Sequence, residues 1–123
     1  MILVDTSVWI DHLRGHDKDL ARLLGGGQVL AHPFVVGELA LGNLANRDTV
    51  LRALEGLPRA QFATDSEVQQ LITAEKLFGT GIGYIDAHLM ASVRLSPGAL
   101  LWTRDKRLSA VSAELGLNVQ PLH

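Results

Sequence analysis

The sequence predicts an α/β fold in which a parallel sheet is flanked by helices. Short apolar runs such as Ile2–Val4 and residues 99–102 show no polar alternation, which is typical of strands buried on both faces. Segments with helical spacing of apolar residues follow them. The 123 residues, 47% of them hydrophobic and 20% charged, match one globular domain. We therefore expect a single domain over residues 1–123.

The first half of the chain is predicted to contain two strands and four helices. After the strand Ile2–Val4, helices are expected at residues 8–14 and 18–24, each followed by glycine. A second strand is expected at 28–31. Pro33 suits the first position of the next helix, in which apolar residues recur at helical spacing up to Leu44. A shorter helix at 49–55 ends before Gly56 and Pro58.

The second half is predicted to alternate in the same way. A helix over 65–78 begins with acidic residues and has an apolar stripe that includes Val68, Leu71, Ile72, Leu77 and Phe78. A glycine-rich loop at 79–83 leads into a helix at 85–95. Strand 99–102 and a helix at 106–115 follow, with a last short strand at 118–119. Strands alternating with helices favour a parallel sheet.

Composition excludes several classes of protein. The chain has no cysteine, so disulfides, thiolate zinc sites and cysteine nucleophiles are excluded. Asp5 interrupts the N-terminus too early for a signal peptide, and no apolar run approaches the roughly 20 residues that span a bilayer. We expect a cytoplasmic protein without a membrane role. A net charge of −2 means that nucleic acid would have to be bound at a local site, with a cation supplying positive charge.

Four acidic residues are candidates for such a site. Asp5 directly follows the first strand, and Asp105 lies three residues after Trp102. Ligands of open α/β sheets bind beyond the carboxyl ends of the strands, so these two carboxylates meet if the strands are neighbours. The topology allows Glu38 and Asp86 to join them. Position alone favours helix capping for Asp5, Asp86 and Asp105 and a solvated role for Glu38, so both interpretations stay open.

A cluster of four carboxylates would require a cation, because the negative charges repel one another. Oxygen ligands suit Mg²⁺ or Mn²⁺ rather than Zn²⁺. Such an ion lowers the pKa of bound water and supports hydrolysis of a phosphodiester. The residues alone therefore leave a metal-dependent nuclease as a contender beside the capping interpretation.

Four short motifs resemble those of PIN-domain ribonucleases, in the same order along essentially the whole chain. They are VDTSVWID at 4–11, VGEL at 36–39, YIDAHLMA at 84–91 and LWTRD at 101–105. The length is similar to that of the VapC toxins of type II toxin–antitoxin pairs. This resemblance implies a PIN-like fold with a twisted parallel sheet and an endoribonuclease that depends on Mg²⁺ or Mn²⁺. It also implies a cognate antitoxin, commonly a homodimer, and a possible hetero-oligomer with the antitoxin.

The resemblance also assigns roles to residues. Asp5 and Asp86 are the expected metal ligands, and Glu38 and Asp105 complete the acidic pocket directly or through water. Thr6 and Thr103 resemble family hydroxyls near the site, with capping as the alternative. Many members have a further acid or Asn soon after the fourth acid, whereas Asp105 is followed here by Lys106, Arg107 and Leu108. One resting metal is therefore the expectation.

Several side chains have two possible roles. Arg14, Arg104, Lys106 and Arg107 are candidates for RNA phosphate contacts or for an ordinary solvated surface. Trp9, Leu13 and Leu41 suit an antitoxin groove, although core packing is favoured.

Two motifs and two functions are less favoured. His12 and His16 lack the general-base Glu of zinc helices, and the loop at 79–83 lacks the Lys of a phosphate loop. A receiver-like signalling module would need an acidic pair after the first strand. A PIN fold kept for partner binding remains an alternative to the nuclease.

Overall fold

The computed structural model describes residues 1–119 and confirms the predicted α/β fold. The elements are, in chain order, β1 (Ile2–Val4), α1 (Thr6–Gly15), α2 (Lys18–Gly25), β2 (Val29–Leu30), α3 (Pro33–Leu41), α4 (Arg47–Glu55), α5 (Asp65–Ala74), α6 (Tyr84–Leu95), β3 (Leu100–Trp102) and α7 (Lys106–Glu114). Residues 120–123 of the predicted domain lie outside the described residues.

The sheet is parallel, with strand order β2-β1-β3. Leu3 pairs with Leu30 on one side and with Leu101 on the other. The apolar run of β1 therefore lies in the centre of the sheet, where Leu3 and Val4 are fully buried. Because β1 and β3 are neighbours, the residues that follow them emerge at the same edge.

Two single parallel bridges extend the sheet beyond its named strands. Ala31 pairs with Arg59 next to β2, and Leu101 pairs with Asn118 next to β3. The predicted strand at 118–119 is thus a single bridge, and the predicted strand at 28–31 shortens to two residues plus a bridge. Such short edges limit the number of exposed backbone groups.

The helix predicted over residues 65–78 is wrong at its C-terminal end. The helix α5 begins with a capping box between Thr64 and Glu67 but stops at Ala74. Lys76 adopts a left-handed conformation with φ 54°, and the Leu77 amide then bonds back to the Ile72 carbonyl at 2.9 Å. This closure turns Phe78 outward, where it is 68% exposed rather than part of the apolar stripe.

Other helix bounds differ by a few residues. The helix α1 starts at Thr6, earlier than expected, and α3 ends at Leu41 because Gly42 is extended. Leu41 is 91% exposed, so the favoured expectation of core packing is wrong for this residue, whereas Trp9 is buried as expected. None of the helices in residues 1–119 has the length and apolarity needed to cross a membrane.

Candidate active site

The carboxyl ends of β1 and β3 bring Asp5 and Thr103 together. The Asp5 amide donates a hydrogen bond to the Trp102 carbonyl at 2.9 Å, continuing the pairing of the two strands by one residue. Asp5 is itself 7% exposed. The strands that carry Asp5 and Asp105 are therefore neighbours, which is the condition that the sequence analysis set for their carboxylates to meet.

Two hydroxyl groups hold the Asp5 carboxylate. Ser7 Oγ and Thr103 Oγ1 each donate to Asp5 Oδ2 at 2.8 Å. The Asp5 side chain occupies the N-cap position of α1 but makes no capping hydrogen bond. Both bonds go to the same oxygen, which leaves Oδ1 without a protein partner among the described residues. Asp5 is thus oriented by its neighbours instead of serving the helix.

Glu38 reaches the site from α3 and is held by a hydroxyl as well. Thr6 Oγ1 donates to Glu38 Oε1 at 2.7 Å. Glu38 is exposed, so its helix presents it to solvent rather than burying it. Thr6 and Thr103 therefore contact two of the four acids, as the family resemblance implies, and neither is the N-cap of α1 or α7.

Asp105 and Asp86 are both tied to helix N-termini. Asp105 is the N-cap of α7, where its Oδ1 accepts from the Leu108 amide at 2.9 Å. Asp86 is the third residue of α6, and its Oδ2 accepts from the Gly83 amide at 3.2 Å. Capping therefore accounts for one oxygen of each residue. It does not preclude a second role for the other oxygen.

The four acids act on one another electrostatically. Burial raises the pKa of the Asp86 carboxyl above its ordinary value, and the charges of Asp5, Asp105 and Glu38 raise it further, while the bond from the Gly83 amide opposes the change. Within residues 1–119 none of the four acids forms an ion pair with Lys, Arg or His. Their mutual repulsion is thus not relieved by an ion pair with a basic side chain in this part of the chain.

The donor set suits a hard divalent cation in chemistry and in charge. All four side chains offer carboxylate oxygens, which Mg²⁺ and Mn²⁺ prefer. Across the described part of the chain, however, no three acidic or imidazole groups lie close enough to surround one ion together. Asp5, Glu38 and Asp105 lie near enough to Asp86 for their charges to act on it. Direct contact with an ion by one or two carboxylates, completed by water, is typical of Mg²⁺.

The predicted basic residues lie in three different settings. Arg104 is paired with Asp11 at 2.7 Å and with Asp17, and its guanidinium lies 5.5 Å from the centre of the Trp102 ring. Lys106 and Arg107 are exposed on the first turn of α7 beside Asp105. Arg14 is exposed near the end of α1 and lines a cavity of about 230 Å³ with Leu13 and Leu44.

Ser7 is a site residue that sequence reasoning missed. The sequence has no motif that would support Ser7 as a nucleophile. Its hydroxyl donates to Asp5 and accepts from the Arg104 amide at 3.0 Å, so it joins the two loops. Its position two residues after a strand-terminal acid was the available signal, because short hydroxyl side chains there bond locally.

The two less favoured motifs have structural roles. The His12 and His16 rings lie 5.3 Å apart, and His12 Nδ1 accepts from the Asp17 amide at 2.9 Å. Burial, together with the nearby His16, lowers the pKa of His12. In the glycine loop, Gly81 has φ 88° and accepts at its carbonyl from Arg107 Nη1 at 3.5 Å. The loop thus contacts a basic side chain of α7.

Comparison with known proteins agrees with this fold. The model of the PIN domain family matches residues 2–114. The chain therefore belongs to the PIN domain family. It is 51% identical over 117 residues to Ribonuclease VapC32 of Mycobacterium tuberculosis, in both strain CDC 1551 / Oshkosh and strain ATCC 25618 / H37Rv. The match covers 95% of this chain and 94% of each relative, which confirms the predicted resemblance to ribonucleases of the VapC type.

Proposed function

We propose that this chain is the toxin of a type II toxin–antitoxin pair and acts as a metal-dependent endoribonuclease in the cytoplasm. The observation that carries the proposal is that the charges of Asp5, Glu38 and Asp105 all act on Asp86, while none of the four acids forms an ion pair among the described residues. Membership of the PIN domain family and 51% identity to a ribonuclease support it.

The proposed metal is Mg²⁺ or Mn²⁺, held chiefly by Asp5 and Asp86. Glu38 and Asp105 complete the pocket directly or through water. When bound, the ion would make water more acidic and supply positive charge opposite the scissile phosphate. Since Asp5 Oδ2 already accepts hydrogen bonds from two hydroxyl groups, Oδ1 is the oxygen proposed to bind the metal.

The chain's own cations have separate proposed tasks. Lys106 and Arg107 are exposed beside Asp105 and are assigned to RNA phosphates, since Arg in particular suits phosphate oxygens. Arg104 is engaged by two carboxylates, so we assign it to anchoring the loop that carries Thr103 and Asp105. Arg14 lies eight residues beyond Thr6, about 12 Å along α1, so we assign it to a different phosphate of the RNA.

An antitoxin protein is the proposed partner, and a homodimer is the proposed assembly. The cavity lined by Leu13, Leu39 and Leu44 is a candidate seat for an apolar helix of the antitoxin. Expression of the toxin alone should arrest growth, and co-expression of the neighbouring gene should relieve the arrest. Absence of arrest in the producing host would contradict the toxin assignment.

The nuclease activity is tested with purified protein and single-stranded RNA in Mg²⁺ or Mn²⁺. Asp5→Ala and Asp86→Ala should abolish cleavage while retaining the circular dichroism spectrum of the wild type. Asp48→Ala, which removes an exposed acid of α4, is the matched control and should cleave normally. Equal cleavage by all variants, or none by the wild type in either metal, would overturn the proposal and favour a PIN fold kept for partner binding.

A further inference from the structure

Three aromatic side chains form a partly exposed patch around His88. Phe34 of α3, Phe62 of the loop before α5 and Tyr84 of α6 surround the buried His88 ring, with centroid distances to it of 4.7, 5.3 and 5.3 Å. Phe62 is 49% exposed and Tyr84 is 44% exposed. We refer to Phe34, Phe62 and Tyr84 as the aromatic patch.

The aromatic patch and the candidate active site share two helices. Phe34 precedes Glu38 by four residues on α3, so both lie on one face of the helix, one turn apart. Tyr84 precedes Asp86 by two residues in the first turn of α6, where the two side chains point to different faces, so the link between patch and site is through α3. A nucleotide strand whose phosphate lies at the acids would therefore have a neighbouring base within reach of the rings.

A carboxylate borders the same patch. Asp65 Oδ1 accepts from Tyr84 Oη and faces His88 Nε2, both at 3.3 Å. The side chain of Asp65 is 87% exposed, and its Oδ2 has no protein partner among the described residues. A molecule bound at the aromatic patch would therefore contact aromatic rings and Asp65 Oδ2, an acceptor that no described residue uses.

A polar atom under the patch also lacks a partner. His88 is 1% exposed, and its Nδ1 has no hydrogen-bond partner within the described part of the chain. Buried polar atoms normally have a hydrogen-bond partner. The unpartnered His88 Nδ1 is therefore an independent indication that a further molecule binds at the aromatic patch.

We propose that the aromatic patch is a subsite on which a nucleobase of the RNA stacks, with guanine preferred. This proposal rests on the proposed function, because it assumes an RNA substrate. Stacking on aromatic rings and hydrogen bonding at the Watson–Crick edge are how proteins read unpaired RNA bases. Guanine presents two adjacent N–H donors on that edge, either of which can donate to the free Asp65 Oδ2. Adenine and cytosine instead place a ring acceptor beside their amino donor, which the carboxylate would repel.

A base suits the patch better than the other parts of RNA. Phosphate is disfavoured because Asp65 is the charged group beside the rings. An aliphatic peptide face would leave the Asp65 acceptor unused, whereas a base uses both features. The separate cavity near Leu13 and Leu44 has the aliphatic lining that such a peptide would need.

Binding is measured without cleavage, in full-length protein carrying Asp86→Asn. The probes are short labelled oligouridylates that contain one guanosine, adenosine or cytidine. Phe62→Leu should weaken binding about ten-fold, because it keeps an apolar side chain but removes the ring face. Phe62→Trp should retain binding, and Leu41→Ala, which trims the 91% exposed leucine of α3, should leave it unchanged.

Base preference is tested with Asp65→Asn in the same background. The guanosine probe should bind the parent protein most tightly, and the variant should lose that preference. Equal binding of all probes by the parent would overturn the proposed recognition of guanine by Asp65. Unchanged RNA binding in Phe62→Leu would overturn the nucleobase subsite. If Phe62→Leu changed only antitoxin binding or oligomeric mass, the aromatic patch would be a protein interface, and the subsite would be overturned as well.

Failure of this proposal can be distinguished from failure of the proposed function. If the wild type cleaves RNA and Phe62→Leu cleaves with unchanged KM, the nuclease stands and the subsite falls. If the wild type does not cleave RNA, the nuclease falls, and the binding assay still decides whether the rings contact bases.

Discussion

Thr103 donates a hydrogen bond to Asp5 across the ends of two neighbouring strands, with 2.8 Å between Oγ1 and Oδ2. The same hydroxyl oxygen accepts from the Asp105 amide at 3.0 Å. One side chain of the β3–α7 loop therefore aligns two of the four acids. Its removal should affect the site more than the fold.

Thr103→Val should weaken binding of Mn²⁺ by about 10- to 100-fold, as is typical when a partner that orients a metal ligand is lost. The free energy of unfolding should fall by only about 1 kcal/mol, the range of a single lost hydrogen bond. Calorimetric titration with Mn²⁺ and urea unfolding measure the two effects. Thr103→Ser keeps the hydroxyl and should bind Mn²⁺ like the wild type, so equal weakening in both variants would contradict the role of the hydroxyl.

Gly81→Ala should disturb Arg107 through a direct contact. A β-carbon at this position would lie 3.0 Å from Arg107 Nη1, in a backbone with φ 88°. Gly79 has φ 76° and open space around it, so Gly79→Ala carries the backbone strain without the contact. Each variant should lose about 1–2 kcal/mol of unfolding free energy, but RNA binding should weaken only in Gly81→Ala. Equal RNA affinity of the two variants would show that Arg107 does not depend on the loop.

Arg104→Gln should behave as a loss of anchoring rather than of RNA contact. The side chain is 37% exposed and pairs with Asp11 and Asp17, so its removal should cost about 0.5–1 kcal/mol of stability. The salt dependence of RNA binding should stay as in the wild type, whereas Arg107→Gln should make it shallower by the loss of one phosphate contact. A shallower salt dependence in Arg104→Gln would mean that Arg104 exchanges its carboxylates for phosphate.

His32 should make the fold sensitive to acid. Burial, together with the nearby His88, lowers the pKa of His32 from 6.5 to about 4. Its Nδ1 accepts from the Phe34 amide at 3.1 Å, so the neutral ring donates from Nε2 to Ser92 Oγ. Above pH 6.5 the folded and unfolded states bind the same number of protons at this ring, and as the pH falls the unfolded state alone takes up a proton.

Stability should therefore decrease between pH 6.5 and about pH 4, by about 3 kcal/mol from this ring, and then stop changing on its account. Urea unfolding over this range measures the effect. His32→Asn keeps an N-cap acceptor but cannot titrate, so its stability should fall less steeply. Parallel curves for the wild type and the variant would assign the acid sensitivity to other groups.

The sequence analysis predicted the strands and the edge of the sheet because short, fully apolar runs have few alternative structures. The adjacency of Asp5 and Asp105 followed from parallel strand order. The assignment of Glu38 and Asp86 to the site depended on the family resemblance, since no local sequence pattern determines how a helix orients an acidic side chain toward the sheet edge. The role of Ser7 depends on contacts between two loops, which only the structure shows.

The remaining differences arise where tertiary contacts compete with local preference. Phe78 continues the apolar stripe of α5 in sequence, but the left-handed Lys76 ends the helix before it. Arg104 is basic and lies next to Asp105, yet two acids more than eighty residues earlier in the chain, Asp11 and Asp17, take up its guanidinium. Sequence spacing does not reveal partners at that distance.

The central place of β1 in the sheet has a consequence for biosynthesis. The strand β1 is synthesised about one hundred residues before β3, so its second neighbour does not yet exist when β1 is made. Asp5 meets Thr103 only after that pairing. Contacts so distant along the chain form late in folding, so a nascent polypeptide that ends before residue 100 lacks both the Thr103 bond to Asp5 and Asp105 itself. The acidic site is therefore assembled only after β3 and the loop that follows it have been made.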